Sequence, residues 1–454
     1  MAIEGMSGKE LLFRALRHEP VSAVPWVPYA GVHAGKLKGY SGEEILKDGK
    51  KLLESLLAVN EVYDPDGQPI VFDLQVEAEI MGCELIWTGM GPPLIGSHPL
   101  AGKQEIPTRL PQKDEGRLPM ILDVMRKMKT AVGNKTALYG LVTGPMTLAS
   151  HLRGTEIFMD MVRRPDQFKL IVTYVRDIAK EMIDFYLEAG MDVIAIVDPL
   201  ASQISPKQFA QTMSEPYQYL FDYIRAKGAF SSFFVCGDAT KNVEVMCQTG
   251  PDSIAVDENL NMITTKQITD RYNITLGGNI PLTTKMLLGT QQDNMKFVVD
   301  YLDKIDHHNL ILAPGCDVPY DTPIENVVGC LQAVRNPEET KKMLANYSAP
   351  QLDLDSVIIP DYKHLARPMV EVFTLDSATC AACTYMLGAV KDASTDFGST
   401  IDVVEYKFTL PENVARVVKM GVSNLPSVYI NGELKYSSLI PSRQELVDEI
   451  KKSF

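Results

Sequence analysis

The sequence predicts an α/β chain made of a (β/α)8 barrel followed by a second, smaller α/β domain. The chain has 454 residues, which exceeds the ~250–300 residues at which a single hydrophobic core stops growing. Short apolar runs, each ending at a polar or glycine residue, alternate with amphipathic helical patterns up to residue 345. Buried parallel strands have this appearance because helices cover both faces of the sheet. We therefore assign residues 1–345 to the barrel.

Eight apolar runs mark the predicted barrel strands. They lie at residues 24–29, 70–72, 137–142, 193–197, 232–235, 253–256, 274–276 and 309–312. The carboxyl ends of such strands assemble the active site of a (β/α)8 barrel. Asp73, Asp198, Cys236, Asp257 and Cys316 follow these runs and are candidates for function, although a single Asp is as often a helix cap or a turn former.

Residues 346–367 form a predicted linker, and residues 368–454 a small βαβ-type domain. The segment NYSAPQLDLDSVIIPDYKHLARP holds three prolines and little periodicity, as is typical of linkers or ordered crossovers. After it come the apolar run MVEVFTL, a helical pattern, IDVVEYKF, a second helical pattern and LPSVYINGELKY.

Cys380 and Cys383 form a CxxC motif at the start of the helix after MVEVFTL. A helix N-terminus lowers the pKa of a thiol, so the pair is suited to redox chemistry or thiol exchange. Half of a zinc site and plain packing are the alternatives. The order of elements and the LPS segment before VYINGE resemble thioredoxin- and glutaredoxin-like domains. This resemblance implies that Pro426 is a cis-proline beside the CxxC, although the family's usual Trp-Cys-Gly-Pro-Cys is absent.

Composition excludes several classes of protein. The formal net charge of −14 argues against a nucleic-acid partner, because phosphate contacts need clustered Lys and Arg. No apolar run approaches the ~20 residues that cross a bilayer, and the N-terminal segment reads as an amphipathic helix unlike a secretory signal. We therefore expect a cytoplasmic protein without a membrane partner, whose cysteines are reduced.

The cysteines fall into two groups. Cys236 and Cys316 end the fifth and eighth predicted strands, where two thiolates can bind one soft metal ion, with zinc as the first choice. Cys83, Cys247 and Cys330 lie among apolar residues and are predicted to be small buried hydrophobes.

Residues 7–340 resemble the uroporphyrinogen decarboxylase superfamily. The matching pieces include VFDLQVEAEIMGC, GLVTGPMTLASHL, LEAGMDVIAIVDP and APGCDVPYDTPIENV. The decarboxylase branch holds its polyanionic substrate with arginines, whereas residues 29–35 read YAGVHAG without one. A polyanion would lack its cationic partners there.

The cobamide-dependent methyltransferase branch is the better match. That resemblance implies zinc held by a His-x-Cys after the fifth strand and a Cys after the eighth, which correspond to Cys236 and Cys316. The histidine position is Phe234 here, so we expect a carboxylate as third ligand: Glu258 first, then Asp257 and Asp238. The alternative is that the metal is lost and that the two cysteines do redox chemistry with the C-terminal CxxC.

The resemblance implies a zinc-dependent methyltransferase that moves a methyl group between a protein-bound methylcobamide and a small thiol. Asp73 and Asp198 would shape the substrate site or hydrogen-bond the substrate. His151 would contact the substrate or, equally, be a structural histidine. The corrinoid would come from a partner protein, because no Asp-x-His-x-x-Gly pattern is present. The CxxC domain would keep the barrel cysteines reduced or relay a thiol. A metal-free decarboxylase or lyase and a tetrapyrrole-binding redox carrier are the alternatives, and homodimerisation is left open.

Overall fold

The computed structural model describes residues 6–348, 353–355, 357–377, 381–422, 424–438 and 440–454, without the side chains of residues 381 and 382. The chain divides into two compact units, Met1–Tyr347 and Ser348–Phe454. Among the described helices, none combines the length and apolar content needed to cross a membrane.

The first unit is built on a parallel sheet in the order β1-β4-β5-β6-β7-β8-β9, and β2 and β3 form a separate antiparallel pair. The strands are β1 (Gly67–Pro69), β2 (Leu85–Ile86), β3 (Leu94–Ile95), β4 (Ala137–Thr143), β5 (Val193–Val197), β6 (Phe230–Val235), β7 (Ser253–Val256), β8 (Thr275–Ile280) and β9 (Leu310–Pro314). The predicted α/β barrel architecture is confirmed. The second strand is three residues earlier than predicted, because residues 70–72 follow β1 and already belong to the strand-end loop.

Helices surround this sheet. They are α1 (Gly8–Leu16), α2 (His33–Lys36), α3 (Gly42–Lys47), α4 (Gly49–Tyr63), α5 (Val76–Ile80), α6 (Leu118–Val132), α7 (Pro145–Arg153), α8 (Glu156–Arg163), α9 (Pro165–Glu188), α10 (Pro206–Thr212), α11 (Ser214–Ala226), α12 (Val243–Cys247), α13 (Met262–Arg271), α14 (Gln291–Leu302), α15 (Ile324–Arg335) and α16 (Pro337–Met343). A 3₁₀ turn spans Pro199–Gln203 and a π-helical turn spans Leu282–Leu287. Pro165 starts the long α9, where its missing N–H is harmless, and the apolar face of α9 is buried.

The segment at residues 24–29 closes the ring between the two edge strands. Trp26 forms a parallel bridge to Leu312 in β9, and its carbonyl accepts the amide N–H of Asp66 at 2.9 Å, just before β1. The Asp66 carboxylate in turn accepts the Trp26 N–H at 2.7 Å and pairs with Arg335 at 2.8 Å. The first predicted strand is therefore in place, although it pairs through one bridge only.

Side chains from alternate strand positions fill the barrel interior. Tyr29, Phe72, Tyr139, Phe234 and Ala313 belong to this cluster, and Cys236 and Cys316 pack against it. Because residues i and i+2 of a strand point to the same side, Cys236 lies one layer above Phe234. The two cysteines are thus carried to the upper, carboxyl end of the barrel.

The second unit has a mixed four-stranded sheet in the order β11-β10-β12-β13. Its elements are β10 (Met369–Thr374), α17 (Ala381–Ser394), β11 (Asp402–Lys407), α18 (Pro411–Lys419), β12 (Ser427–Ile430), β13 (Glu433–Ser437) and α19 (Arg443–Lys451), with a 3₁₀ turn at Gly398–Thr400. β10 runs parallel to β11 and antiparallel to β12.

Part of the predicted linker is bound to this second unit. Lys419 donates to the carbonyls of Leu354 and Val357 at 2.9 and 2.8 Å. The hydroxyl of Tyr362 donates to the buried Glu371 at 2.7 Å, and Arg416 pairs with the same carboxylate at 2.5 Å. These contacts hold Leu354, Val357 and Tyr362, here called the strap residues, on the second unit.

Candidate active site at the barrel mouth

Cys236 and Cys316 meet at the carboxyl end of the barrel. Cys236 follows β6 and Cys316 follows β9, and the two form a disulfide with Cα atoms 6.3 Å apart across 80 residues of sequence. The expectation that the cysteines are reduced is therefore wrong for this pair. Parallel strands of a closed barrel deliver their ends to one rim, which explains how such distant residues come together. Cys83, Cys247 and Cys330 are free and buried, as the sequence predicts.

Phe234 forms the floor below Cys236. It is 1% exposed, and its ring centroid lies 4.8 Å from that of Tyr29 and 5.8 Å from that of Phe72. This position, where the resemblance implies a histidine ligand, therefore offers only an aromatic surface. Any third metal ligand has to come from another loop.

Asp257 and Glu258, directly after β7, lie between the loops of the two cysteines. The carboxylate of Asp257 accepts the amide N–H of Gly237, the residue after Cys236. The amide nitrogen of Glu258 is 2.9 Å from the point where a Cβ on Gly315 would lie, so no larger residue fits before Cys316. The backbone of Glu258 is thus next to the loop of Cys316, and its role as a metal ligand stays a prediction.

The donor set suits zinc only in part. Two thiolates at this spacing match a soft metal once the disulfide is reduced. The Glu258 carboxylate, however, accepts the amide N–H of Leu282. Across the described residues, no three His, Cys, Asp or Glu side chains converge as a metal would require. The two cysteines fit a zinc ion. The Glu258 side chain would have to leave the Leu282 amide before its carboxylate could bind the metal as a third ligand.

Burial shifts the titration of the strand-end carboxyls. It raises the pKa of Asp257 to about 6 and that of Glu258 to about 8, with Asp257 adding to the latter shift by charge repulsion. Burial also raises the pKa of Asp317 to about 8, and its carboxylate accepts the Gly31 N–H at 2.7 Å. A cation beside these groups would reverse the shifts. Sequence reasoning missed Asp317, although it directly follows Cys316.

Asp73 is paired within the protein. One carboxylate oxygen accepts from Arg117 at 2.6 Å and the other from the Gln75 amide at 2.8 Å. Arg117 also pairs with Glu79 at 2.7 Å, and its guanidinium lies 5.2 Å from the centroid of the Trp87 ring. No sequence pattern pointed to Arg117, because it precedes α6, far from any strand end in sequence.

Asp198 is surrounded by donors from two helices, α7 and α11. Its two oxygens accept from the amides of Met146 and Thr147 at 2.8 and 3.0 Å, from the Thr147 hydroxyl at 2.6 Å and from the Tyr217 hydroxyl at 2.6 Å. A Cβ on Gly144 would lie 2.4 Å from this carboxylate. Asp198 therefore fastens the start of α7 to the end of β5, and its contact with a substrate stays a prediction.

His151 lies inside α7 and is 2% exposed. Burial lowers the pKa of its imidazole to about 3, so the ring is neutral at physiological pH. Its carbonyl oxygen is 2.8 Å from the Nδ1 atom of His98 and 3.4 Å from the sulfur of Cys83. The structure shows no contact between His151 and Cys236 or Cys316. The predicted contact of His151 with a substrate stays a prediction.

In the second unit, Cys383 is buried in the first turn of α17. Its sulfur accepts the amide N–H of Leu375 at 3.3 Å, directly after β10. The Leu425–Pro426 peptide is cis. Cys380 lies outside the described residues, so the redox pairing of the CxxC motif stays a prediction.

The uroporphyrinogen decarboxylase (URO-D) family matches residues 7–337, and a thioredoxin domain matches residues 369–451. The chain belongs to the URO-D family. Its barrel is therefore a URO-D barrel, and the chain continues into a C-terminal thioredoxin domain. Both predicted resemblances are confirmed.

Relatives within the family carry two different names. The methylcobamide:CoM methyltransferase MtbA of Methanosarcina acetivorans is 26% identical over 337 residues, which cover 72% of this chain and 97% of that protein. MtaA of Methanosarcina barkeri, also a methylcobamide:CoM methyltransferase, is 26% identical with 72% and 96% coverage. A uroporphyrinogen decarboxylase of Wolbachia pipientis is 27% identical over 286 residues, with 60% and 80% coverage.

The same fold is seen in a solved structure described as a methyltransferase from Methanosarcina mazei. It superposes with a TM-score of 0.67 at 24% sequence identity, covering 73% of this chain and 99% of that one. At this identity the match shows the barrel fold.

Proposed function

We propose that the URO-D barrel is a methyltransferase that moves a methyl group from a methylated corrinoid, carried by a separate protein, to a small thiol. The observation that supports this most is the meeting of Cys236 and Cys316 at the barrel mouth. Relatives named as methylcobamide:CoM methyltransferases align over nearly their whole length. In this proposal Cys236 and Cys316, with Glu258, hold zinc.

The transfer needs a thiolate held in line with the methyl group. A bound zinc ion would lower the pKa of a coordinated thiol, so that the sulfur attacks at neutral pH. The thiolate forms the new C–S bond as the Co–C bond breaks. Both electrons of that bond stay on cobalt, and the thiol proton leaves to solvent. The aromatic floor of Tyr29, Phe72 and Phe234 keeps water away from the sulfur from below.

Decarboxylation of a porphyrinogen is the less favoured activity. The segment from Tyr29 to Gly35 contains no arginine, and Arg117 is already paired with Asp73 and Glu79. A polycarboxylate would then enter a mouth where Asp257, Glu258 and Asp317 offer it no positive charge. Burying carboxylates without a cationic partner is costly, so the mouth disfavours such a substrate.

The thioredoxin domain has a defined task in this account. The disulfide form of Cys236 and Cys316 has no thiolate to offer a metal, so it has to be opened before zinc binds. A CxxC dithiol would deliver two electrons and two protons by thiol–disulfide exchange. The CxxC is left as a disulfide and is regenerated by a cellular dithiol. We propose this reducing role ahead of a thiol relay.

Methyl transfer by site variants tests the proposal. Reduced full-length protein is given methylcobalamin and a small thiol, and thioether formation is followed by mass spectrometry. Cys236→Ser and Cys316→Ser should each lose at least ~100-fold in rate, as expected when a metal-bound nucleophile is lost. Cys247→Ala, which changes a buried free thiol away from the strand ends, is the matched control. Full activity in both serine variants would refute the proposal.

A further inference from the structure

The Cys236–Cys316 disulfide is partly exposed at the barrel mouth. The other described cysteines of the barrel, Cys83, Cys247 and Cys330, are free and buried. Burial raises the pKa of Cys83 and that of Cys247 to about 12, so neither thiol is reactive at neutral pH. Exposed disulfides are generally the labile, regulatory or catalytic ones. Within the described part of the barrel, the accessible cysteine sulfurs therefore belong to this pair.

The disulfide can open and close without a change in the backbone. Its Cα atoms are 6.3 Å apart, inside the range that a disulfide spans. Close packing of the two cysteine loops fixes this separation. A Cβ on Gly237 would lie 2.8 Å from the Ser202 hydroxyl oxygen, and a Cβ on Gly315 would lie 2.9 Å from the amide nitrogen of the next loop. Two reduced sulfurs would therefore stay within reach of each other.

The carboxylates beside the disulfide have backbone donors while the pair is oxidised. Asp257 accepts the amide N–H of Gly237, and Glu258 accepts that of Leu282. Enclosed polar groups in native structures are generally hydrogen-bonded in this way. The oxidised mouth is thus a complete form of the site, and the same chain carries a thioredoxin domain, a source of electrons that can open the disulfide.

We infer that the cysteine pair has a second activity, the reduction of small disulfides R–S–S–R to two thiols. The choice of a small disulfide rests on the proposed methyl transfer, which brings a small thiol to the same two sulfurs, because the oxidised form of that thiol carries the same R group. Sulfurs that hold a metal ion are not free for exchange, so this activity belongs to the reduced pair without metal. It returns oxidised acceptor to the thiol form that methyl transfer consumes.

Two exchange steps complete the reduction. One cysteine sulfur attacks a sulfur of the small disulfide, whose S–S bond breaks, and the first R–S⁻ leaves with the electron pair. The second cysteine sulfur then attacks the sulfur of the first, and the second R–S⁻ leaves in the same way. The two leaving thiolates take up the two protons that the cysteine thiols lose. The products are two R–SH and the Cys236–Cys316 disulfide, which the CxxC dithiol reduces as proposed above.

A single turnover with bis(2-hydroxyethyl) disulfide as the probe tests this activity. The full chain carries Cys380→Ser and Cys383→Ser, which removes the CxxC dithiol, and it is reduced, treated with a chelator and desalted before mixing. About two molecules of 2-mercaptoethanol should be released per chain, as the exchange requires. Mass spectrometry after alkylation counts them, and peptide mapping should find Cys236 joined to Cys316.

Two further variants of that chain show which thiols react. Adding Cys236→Ser and Cys316→Ser should abolish the release. Adding Cys247→Ala instead, which changes a buried free thiol, is the matched control and should leave the release unchanged. A chemical block covers the case in which the serine variants do not fold. Iodoacetamide given to the reduced chain before the probe should alkylate the accessible pair and abolish the release.

No release from the reduced pair, or undiminished release after the pair is substituted or alkylated, would overturn the inference. Methylation of 2-mercaptoethanol by methylcobalamin, measured on the same preparations loaded with zinc, separates the two proposals. Methyl transfer without disulfide reduction would leave the proposed function standing and remove the second activity. Disulfide reduction at the pair without methyl transfer would support the second activity and refute the proposed function.

Discussion

Cys236 and Cys316 are 80 residues apart in sequence, yet their Cα atoms are 6.3 Å apart and a disulfide joins them at the barrel mouth. A cross-link that closes a loop of this length stabilises a fold by about 4.5 kcal/mol in the chain-entropy description. Reducing it should therefore lower the free energy of unfolding of the barrel.

Tryptophan fluorescence measures this effect in the barrel alone. Trp26 and Trp87 are the two tryptophans of the chain, and both belong to the first unit. The urea midpoint of the wild type should fall when a dithiol reductant is added. The Cys236→Ser/Cys316→Ser variant serves as control, and an equal response in that variant would contradict the prediction.

Glu77 should make barrel stability depend on pH. Its buried carboxylate accepts from the amide and hydroxyl of Thr143 at 3.0 and 2.7 Å, and burial raises its pKa from 4.5 to about 7. The folded state thus binds the carboxyl proton of Glu77 more tightly than the unfolded state does. Protonated Glu77 therefore stabilises the fold fully below about pH 4.5. About 3 kcal/mol of this stability is lost as the pH rises towards 7.

The variant Glu77→Gln replaces the titrating carboxyl group with a neutral amide that does not titrate. Urea midpoints at about pH 5 and about pH 8 measure the linkage. Relative to the wild type, the glutamine variant should gain stability as the pH rises. A constant difference between the two proteins across this range would show that Glu77 titrates normally.

Asp198 should be essential for the barrel fold because four protein donors converge on its carboxylate. Asp198→Asn places an N–H group against some of these donors and should cost about 2–4 kcal/mol. Tyr217→Phe removes a single donor and should cost about 1 kcal/mol. Urea unfolding followed by tryptophan fluorescence gives both values, and equal losses would argue against the network.

Arg416 should hold the strap residues to the thioredoxin domain. It pairs with the buried Glu371, and Tyr362 donates to the same carboxylate. Arg416→Met leaves Glu371 without its cation, a change that costs about 3–5 kcal/mol. Hydrogen exchange of β10 in the full chain should become faster. Arg443→Met breaks the exposed ion pairs with Asp392 and Asp396, and β10 should exchange in that control as in the wild type.

The sequence predicted what depends on strand periodicity. Counting apolar runs placed Cys236 and Cys316 at strand ends, and a closed parallel barrel then required them to share a rim. Counting runs did not reveal Arg117, which precedes a helix and reaches Asp73 only in the folded chain. The strap residues Leu354, Val357 and Tyr362 show no periodicity in the sequence, because the first two are bound through their backbone carbonyls and the third through its hydroxyl.

Individual contacts at the mouth were less accessible from sequence. Glu258 was singled out as a ligand, but the amide N–H of Leu282 that its carboxylate accepts depends on the backbone path after β8. No sequence pattern distinguishes Asp317 from the many loop aspartates that cap or turn a chain. Its enclosure against Gly31 and Phe72 is a property of three strand ends together.

Zinc content tests the central claim, that Cys236 and Cys316 form a metal-binding thiol pair at the mouth of this URO-D barrel. The freshly reduced wild type, dialysed against zinc and then against metal-free buffer, should retain about one zinc ion per chain, as a three-ligand catalytic site does. The Cys236→Ser/Cys316→Ser variant should retain none, and Glu258→Gln should bind zinc more weakly than the wild type. A reduced wild type that retains no zinc, or a double variant that retains as much, would contradict the account.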